Sequence, residues 1–243
     1  SGCHATPIDF DWPEYGVLLL TDKSNRLSYP FSPMINLDGE RFADEGEDFK
    51  LYTYAKMGRM ILAQRNGFAI QVFDQKAVPI LEPRYSTGKP IKADTLEKLA
   101  EGIEKRYGHL GFNKEKFLQT LEEFNAAAHD GEINPTILDG MRTKGLNPEK
   151  TNWAYRISKP PFVAYAASCG ITFTFGGVRI NENAEVMDHH SKPIPGLYST
   201  GEMTGGFFYH NYAAGSGLMR GAVFGRIAGE NAARFTLDGS PPG

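Results

Sequence analysis

Apolar and polar residues recur along this chain with two different periods, and the switches between them mark its elements. Tyr54, Met57, Ile61 and Leu62 are spaced by three and four residues, so 52–66 is predicted as a helix ending at Gly67. Phe68-Ala69-Ile70-Gln71-Val72-Phe73-Asp74 then alternates with the period of a strand. Two further helices carry start and stop signals. One covers 95–107, with an Asp94 cap and a stop at Gly108; the other covers 113–129, with an Asn113 cap and a stop near Gly131. A final helix is predicted over 217–235, followed by a frayed tail from Asp238. Strands are predicted at 15–21, 34–36, 160–167, 172–180 and 196–200. Leu37-Asp38-Gly39-Glu40 is a predicted turn, because Asp-Gly supplies the positive φ a hairpin needs. The segment 131–152 is polar and rich in Gly, Pro and Asn, hence loop.

With 243 residues, 41% of them apolar, the chain can bury a large core or two smaller ones. A net charge of −3 gives no argument for nucleic acid or for an anionic membrane surface. No apolar run approaches the length needed to cross a bilayer, and Ser1-Gly2-Cys3-His4 has neither the basic nor the apolar part of a signal peptide. Cys3 and Cys169 are too few for a disulfide framework, which points to a reduced cytoplasmic setting.

The densest chemical information lies near the end. Gly196 to Thr200 forms a short strand that runs into Gly201, where a missing Cβ lets the backbone approach a ligand. Glu202 follows with a carboxylate able to accept from ribityl or ribose hydroxyls. Gly215-Ser216-Gly217-Leu218 then opens the last helix, whose unpaired N–H groups and positive end suit an anionic or electron-accepting group. A flavin dinucleotide needs these parts. The complementary part, a strand followed by G-x-G-x-x-G opening a helix, is nowhere in the chain.

In order, Ile194-Pro195-Gly196-Leu197-Tyr198, Gly201-Glu202, Gly205-Gly206 and Phe224-Gly225-Arg226-x-Ala228-Gly229 resemble the C-terminal flavin motif of FAD-dependent fumarate reductases and succinate dehydrogenase flavoproteins. Tyr209-His210-Asn211-Tyr212 through Gly217-Leu218 is most similar to the tricarballylate dehydrogenase branch. The resemblance implies an α+β/α/β fold. A partial FAD-binding domain at 1–28 and 159–243 is interrupted by an α+β capping domain at 29–158. It also implies that the chain is the C-terminal half of a flavoprotein whose phosphate-binding turn lies upstream.

By the same resemblance, FAD is held by Gly201 and Glu202 at the ribityl chain, by Phe175 and Gly176 beside the ring, and by Ser216, Gly217 and Leu218 at its pyrimidine end. His4, in Cys3-His4-Ala5-Thr6-Pro7, matches an element that hydrogen-bonds a substrate carboxylate, and Glu45 matches a proton-relay carboxylate. Departures are equally informative. Tyr212 stands where fumarate reductases place a carboxylate-clamping Arg, as it does in ketosteroid Δ1-dehydrogenases. Phe173 replaces a His, and Asp48 replaces an Arg of the proton relay. Arg84, in Pro83-Arg84-Tyr85, is the Arg nearest to where the catalytic acid is expected; Tyr52, Arg59 and Tyr85 are further cap candidates. His210 is a candidate for proton transfer. Asp188-His189-His190 lacks a third ligand at metal spacing and is expected to be plain loop, with no metal.

These residues imply an FAD-dependent dehydrogenase acting on a C–C bond beside a carboxylate, of the tricarballylate to cis-aconitate type. Expected partners are the small carboxylate, a membrane-associated Fe–S protein and the N-terminal half of the same flavoprotein. Three alternatives stay open: a steroid ketone dehydrogenase on the same scaffold, favoured by Phe173, Phe207, Phe208 and Tyr209, a fumarate reductase-like enzyme, and a catalytically silent piece that holds no FAD by itself.

Overall fold

A computed structural model describes residues 2–6, 28–82, 85 and 89–239, with backbone only at 2–6, 171–173 and 238. The strand expected at 15–21 and Arg84 lie outside the described residues. The chain divides into two compact units, Cys3–Gly170 and Ser1–Gly2 with Ile171–Gly243.

The larger unit is built on a sheet ordered β1-β5-β3-β2, with β4 added to β5; the β2–β3, β3–β5 and β4–β5 pairs are antiparallel. Its strands are β1 (Gly2–Thr6), β2 (Met34–Ile35), β3 (Phe68–Phe73), β4 (Ile91–Ala93) and β5 (Phe162–Phe173). β3 runs beside β5 in unbroken register from Phe68↔Ser168 to Phe73↔Val163. Every β3 residue is buried, because period-two alternation sends successive side chains to two covered faces. Phe68, Ile70 and Val72 meet Leu99, Ile103, Phe117, Leu121 and Phe124 of helices α2 (Leu96–Tyr107) and α3 (Lys114–Ala127). Ala69 meets Met57 and Ile61 of helix α1 (Lys50–Leu62), while Phe73 joins Phe31, Tyr85, Trp153 and Tyr165.

Several boundaries differ from the sequence expectation. Helix α1 ends at Leu62 rather than near Asn66, and Asn66 adopts φ 60° in the turn that follows. Thr95, not Asp94, caps α2, accepting the Lys98 N–H at 3.2 Å; Asn113 caps α3 by accepting from Lys116 at 3.0 Å. The expected strand 172–180 is not separate. Its first residues complete β5, and Gly176-Gly177 breaks the run, leaving isolated bridges at Val178 and Ile180. Strands β4 and β6 (Glu185–Met187), three residues each, were too short to show a period.

The 131–152 loop is pinned, not loose. Thr151 donates through N and Oγ1 to Asp44 at 3.0 and 2.7 Å, and Asn152 Nδ2 donates to the Gly46 carbonyl at 2.8 Å. In the smaller unit β6 pairs with β7 (Pro193–Tyr198), and helix α4 (Ser216–Asp238) packs on β7 and on the Gly201–Met203 turn.

Candidate functional site

The smaller unit gathers the glycine-rich elements. Strand β7 delivers Gly201 at φ +75°, a conformation that disfavours a side chain. A single 3-10 turn follows, closed by Thr204, whose N and Oγ1 donate to the Gly201 carbonyl at 3.1 and 2.7 Å. Glu202 accepts from Thr174 N at 2.9 Å and Thr174 Oγ1 at 3.2 Å through one oxygen. A carboxylate has about four acceptor positions, so capacity for ligand hydroxyls is left.

The glycines fall into two physical classes. A Cβ on Gly177 would stand 2.2 Å from the Met203 carbonyl, and one on Gly205 would stand 2.5 Å from Gly177 N. Those two serve close packing between the 176–178 and 203–205 segments. Gly176, Gly201 and Gly215 would meet nothing within 4 Å among the described residues. Their open sides therefore leave room for a ligand to lie against the backbone.

Helix α4 begins next to them. Its first amides are not equivalent: Ser216 N–H donates to the Ala213 carbonyl at 3.2 Å, and Gly217 N–H donates to the Tyr212 hydroxyl at 3.1 Å. Among the described residues no acceptor takes the Leu218 N–H. Of the three predicted donors, Leu218 is thus the one aimed outward, and its side chain is 80% exposed. Tyr212 is buried against Phe208 (ring centroids 4.9 Å) and Phe175 (6.5 Å). His210 is exposed, lies with its ring tilted against Tyr209 (centroids 3.8 Å) and sits at φ 61°, centred in a turn closed by Asn211 N–H to Tyr209 carbonyl at 2.7 Å. A positive φ on a non-glycine residue stores strain of about 1–3 kcal/mol, and such strain concentrates at functional sites.

Asp188 Oδ1 accepts the His190 and Lys192 amides, each at 2.8 Å, which closes the β6–β7 turn. Among the described residues no cluster of His, Cys, Asp and Glu could hold a metal.

Glu45 lies inside the larger unit and is fully buried. Arg41 donates to it from Nη2 at 2.7 Å and Nε at 3.1 Å, the Met34 amide donates at 2.7 Å, and Lys150 Nζ lies 3.9 Å away. Burial pushes the Glu45 carboxyl upward, but the Arg41 and Lys150 charges and these hydrogen bonds overcome it and hold the group below its ordinary range. Tyr85 is a buried core residue whose hydroxyl donates to Gln71 at 2.8 Å. Tyr52 is 54% exposed on α1. His4 is in β1 and Phe173 in β5, with side chains outside the described residues, as is Arg84.

Residues 17–218 match the FAD binding domain family. This chain belongs to that family, among the flavoproteins of the fumarate reductase type. A protein of Shewanella frigidimarina (strain NCIMB 400) named "Probable fumarate reductase Ifc3" is 33% identical over 241 residues, 96% of this chain and 37% of its own length. The solved open conformation of a flavocytochrome c3 fumarate reductase shares 27% identity with a TM-score of 0.59, covering 98% of this chain and 37% of that one. The 3-ketosteroid Δ1-dehydrogenase of Sterolibacterium denitrificans, at 22% identity and TM-score 0.66 over 96% of this chain and 43% of its own, shares the fold. The chain therefore spans about a third of the length of curated relatives such as the Shewanella protein.

FAD is the cofactor of this family of oxidoreductases, and the residues present fit it. The open glycines, the outward Leu218 amide and the spare Glu202 acceptors are what a flavin nucleotide requires. An apolar cavity of about 400 Å³, lined by Val178, Leu197, Tyr198, Ser199, Met203 and Ala228, adds two buried hydroxyls, Tyr198 Oη and Ser199 Oγ, with no partner among the described residues. Sequence reasoning missed Thr174 and Arg220, which hold this region together. A polar residue before Phe175-Gly176 and a cation in the second turn of the last helix were the available signals.

Proposed function

We propose that this chain carries the cap and the C-terminal flavin-contacting part of an enzyme that dehydrogenates a C–C bond beside a carboxylate, tricarballylate to cis-aconitate in type. Residues 29–158 act as the cap, and 1–28 with 159–243 belong to the FAD domain. One observation carries the substrate assignment. Tyr212, at the position where a carboxylate-clamping Arg is expected, is a buried phenol capping helix α4 amid Phe175 and Phe208. A phenol makes one neutral hydrogen bond where a guanidinium makes two charged ones, so simple fumarate chemistry is disfavoured.

When bound, FAD supplies the two-electron acceptor. Removal of two hydrogens sends the α hydrogen away as a proton and the β hydrogen as a hydride, leaving the double bond. In this proposal the Leu218 amide and the positive end of α4 favour negative charge at the reduced ring. Glu202 accepts from ribityl or ribose hydroxyls. His4 and Arg84 bind substrate carboxylates, Tyr212 offers its own hydroxyl proton, and His210 moves the proton. Glu45, buried and saturated by Arg41, Met34 and Lys150, is assigned to holding the cap rather than to touching substrate. Electrons leave to a membrane-associated Fe–S partner, in a reduced cytoplasmic compartment; no helix among the described residues is long and apolar enough to cross a membrane.

A steroid ketone is the second substrate class, favoured by the aromatic set Phe175, Phe207, Phe208 and Tyr212. The test is anaerobic bleaching of the flavin bands of the whole flavoprotein. Bleaching by tricarballylate is expected, with Arg84→Ala raising KM. Bleaching by a steroid ketone alone, or reoxidation of reduced flavin by fumarate alone, would overturn the assignment.

A further inference from the structure

We infer that Arg220 is a positioning residue that sets both the shape of the flavin cradle and its preference for reduced flavin, an inference that rests on the FAD reading above. Arg220 lies in the second turn of α4, four residues after Ser216 and therefore on the same helix face. Helical side chains lean toward their own N-terminus, which carries the guanidinium back over the first turn. Arg220 is 5% exposed, and its Nη1 donates to the Thr204 carbonyl at 2.8 Å. Thr204 in turn closes the turn that presents Gly201 and Glu202.

The guanidinium also stands 5.1 Å from the Phe207 ring centroid and 5.2 Å from that of Phe208. Such cation–π contacts strengthen when water is excluded. Phe208 packs edge-on against Tyr212, whose hydroxyl takes the Gly217 amide, and also tilts against Phe175 at 5.7 Å. One side chain thus links the ribityl-side turn, the ring-side Phe175 and the helix N-terminus. A planar, permanently charged group suits this place; a lysine would keep the charge and lose the stacking.

Electrostatics extends the role. A cation near a helix N-terminus opposes the helix dipole and is mildly unfavourable for the helix itself. Two positive sources at one end of α4, the buried guanidinium and the helix dipole, favour whatever places negative charge beside them. Reduced flavin carries that charge.

The experiment uses the whole flavoprotein with Arg220→Met and Arg220→Lys, circular dichroism and melting serving as folding controls. FAD affinity is measured by titration and the flavin midpoint potential by dye equilibration. Arg220→Met should bind FAD at least tenfold more weakly. In its loaded fraction the two-electron equilibrium should move tenfold toward oxidised flavin, about 30 mV lower. Arg220→Lys should recover the potential but not the affinity. A wild-type potential in loaded Arg220→Met would overturn the redox role, and wild-type affinity in both variants would overturn the positioning role. Failure of the wild-type protein to bind FAD would overturn the cofactor reading itself, a result separable from either.

Discussion

The Tyr212 hydroxyl accepts the Gly217 amide at 3.1 Å in a buried setting, so a residue proposed to meet substrate also caps the helix proposed to receive the flavin. The two duties are coupled through one oxygen. Tyr212→Phe removes the acceptor and leaves a buried N–H without a partner. The expected cost is about 1–3 kcal/mol of stability, seen in denaturant unfolding, with weaker FAD binding alongside. If stability and FAD affinity both stay at wild-type values, the hydroxyl is not the cap.

The glycine classes separate ligand space from packing. Gly176→Ala places its methyl where none of the described residues lies within 4 Å, so melting should be nearly unchanged while FAD affinity falls roughly tenfold or more, about 1.4 kcal/mol. Gly177→Ala forces its methyl to 2.2 Å from the Met203 carbonyl, so it should destabilise the fold before any ligand is added. Equal melting of the two variants would contradict the division.

Legibility in the sequence followed how local each determinant is. The α2 and α3 helices were visible because their caps and apolar spacing lie within a single turn or two, and Gly201-Glu202 because chain order carries the pattern. β3 was recognised as a strand, yet its burial on both faces depends on α1, α2 and α3 arriving from opposite sides, which no window of seven residues contains. The same limit hid Arg220: its partners Thr204, Phe207 and Phe208 are twelve or more residues away and meet it only through the turn at Gly201. Glu45 was legible as a notable carboxylate. Arg41 is only four residues away, but Lys150 reaches Glu45 from the segment between α3 and β5, far along the chain.

Glu45 balances two buried cations, so Glu45→Gln should be severe. Removing one partner of a buried ion pair costs about 3–5 kcal/mol, because the remaining charges keep their desolvation penalty. The pH dependence has a definite sign. The folded carboxyl titrates below its ordinary value, so its contribution is present above the unfolded pKa of about 4.3 and is lost as pH falls through the folded value. Denaturant midpoints measured on acidification through the unfolded value, about 4.3, should fall less steeply for Glu45→Gln than for wild type. Parallel slopes would exclude Glu45 as a source of acid sensitivity.

Lys150 supplies the opposite test at high pH. Burial lowers its ammonium to about 8, with Glu45, Asp44 and Asp139 pulling upward and Arg41 pushing downward, while Nζ donates to the Pro30 carbonyl at 2.5 Å. In the unfolded chain a lysine keeps its proton to about 10.4. Between these values the unfolded state binds more protons, so stability should rise as pH increases from about 8 toward 10. The buried tyrosines Tyr29 and Tyr85, and the partly buried Tyr155, act with the other sign: their hydroxyls titrate above the ordinary range, so they lower stability once unfolded tyrosines ionise near pH 10, roughly the reference value. The comparison of wild type with Lys150→Met isolates the lysine, since both proteins share the tyrosines. Wild type should gain stability between those two pH values, and the variant should show no such rise. An equal rise in both would assign it to another group and leave Lys150 charged throughout the range.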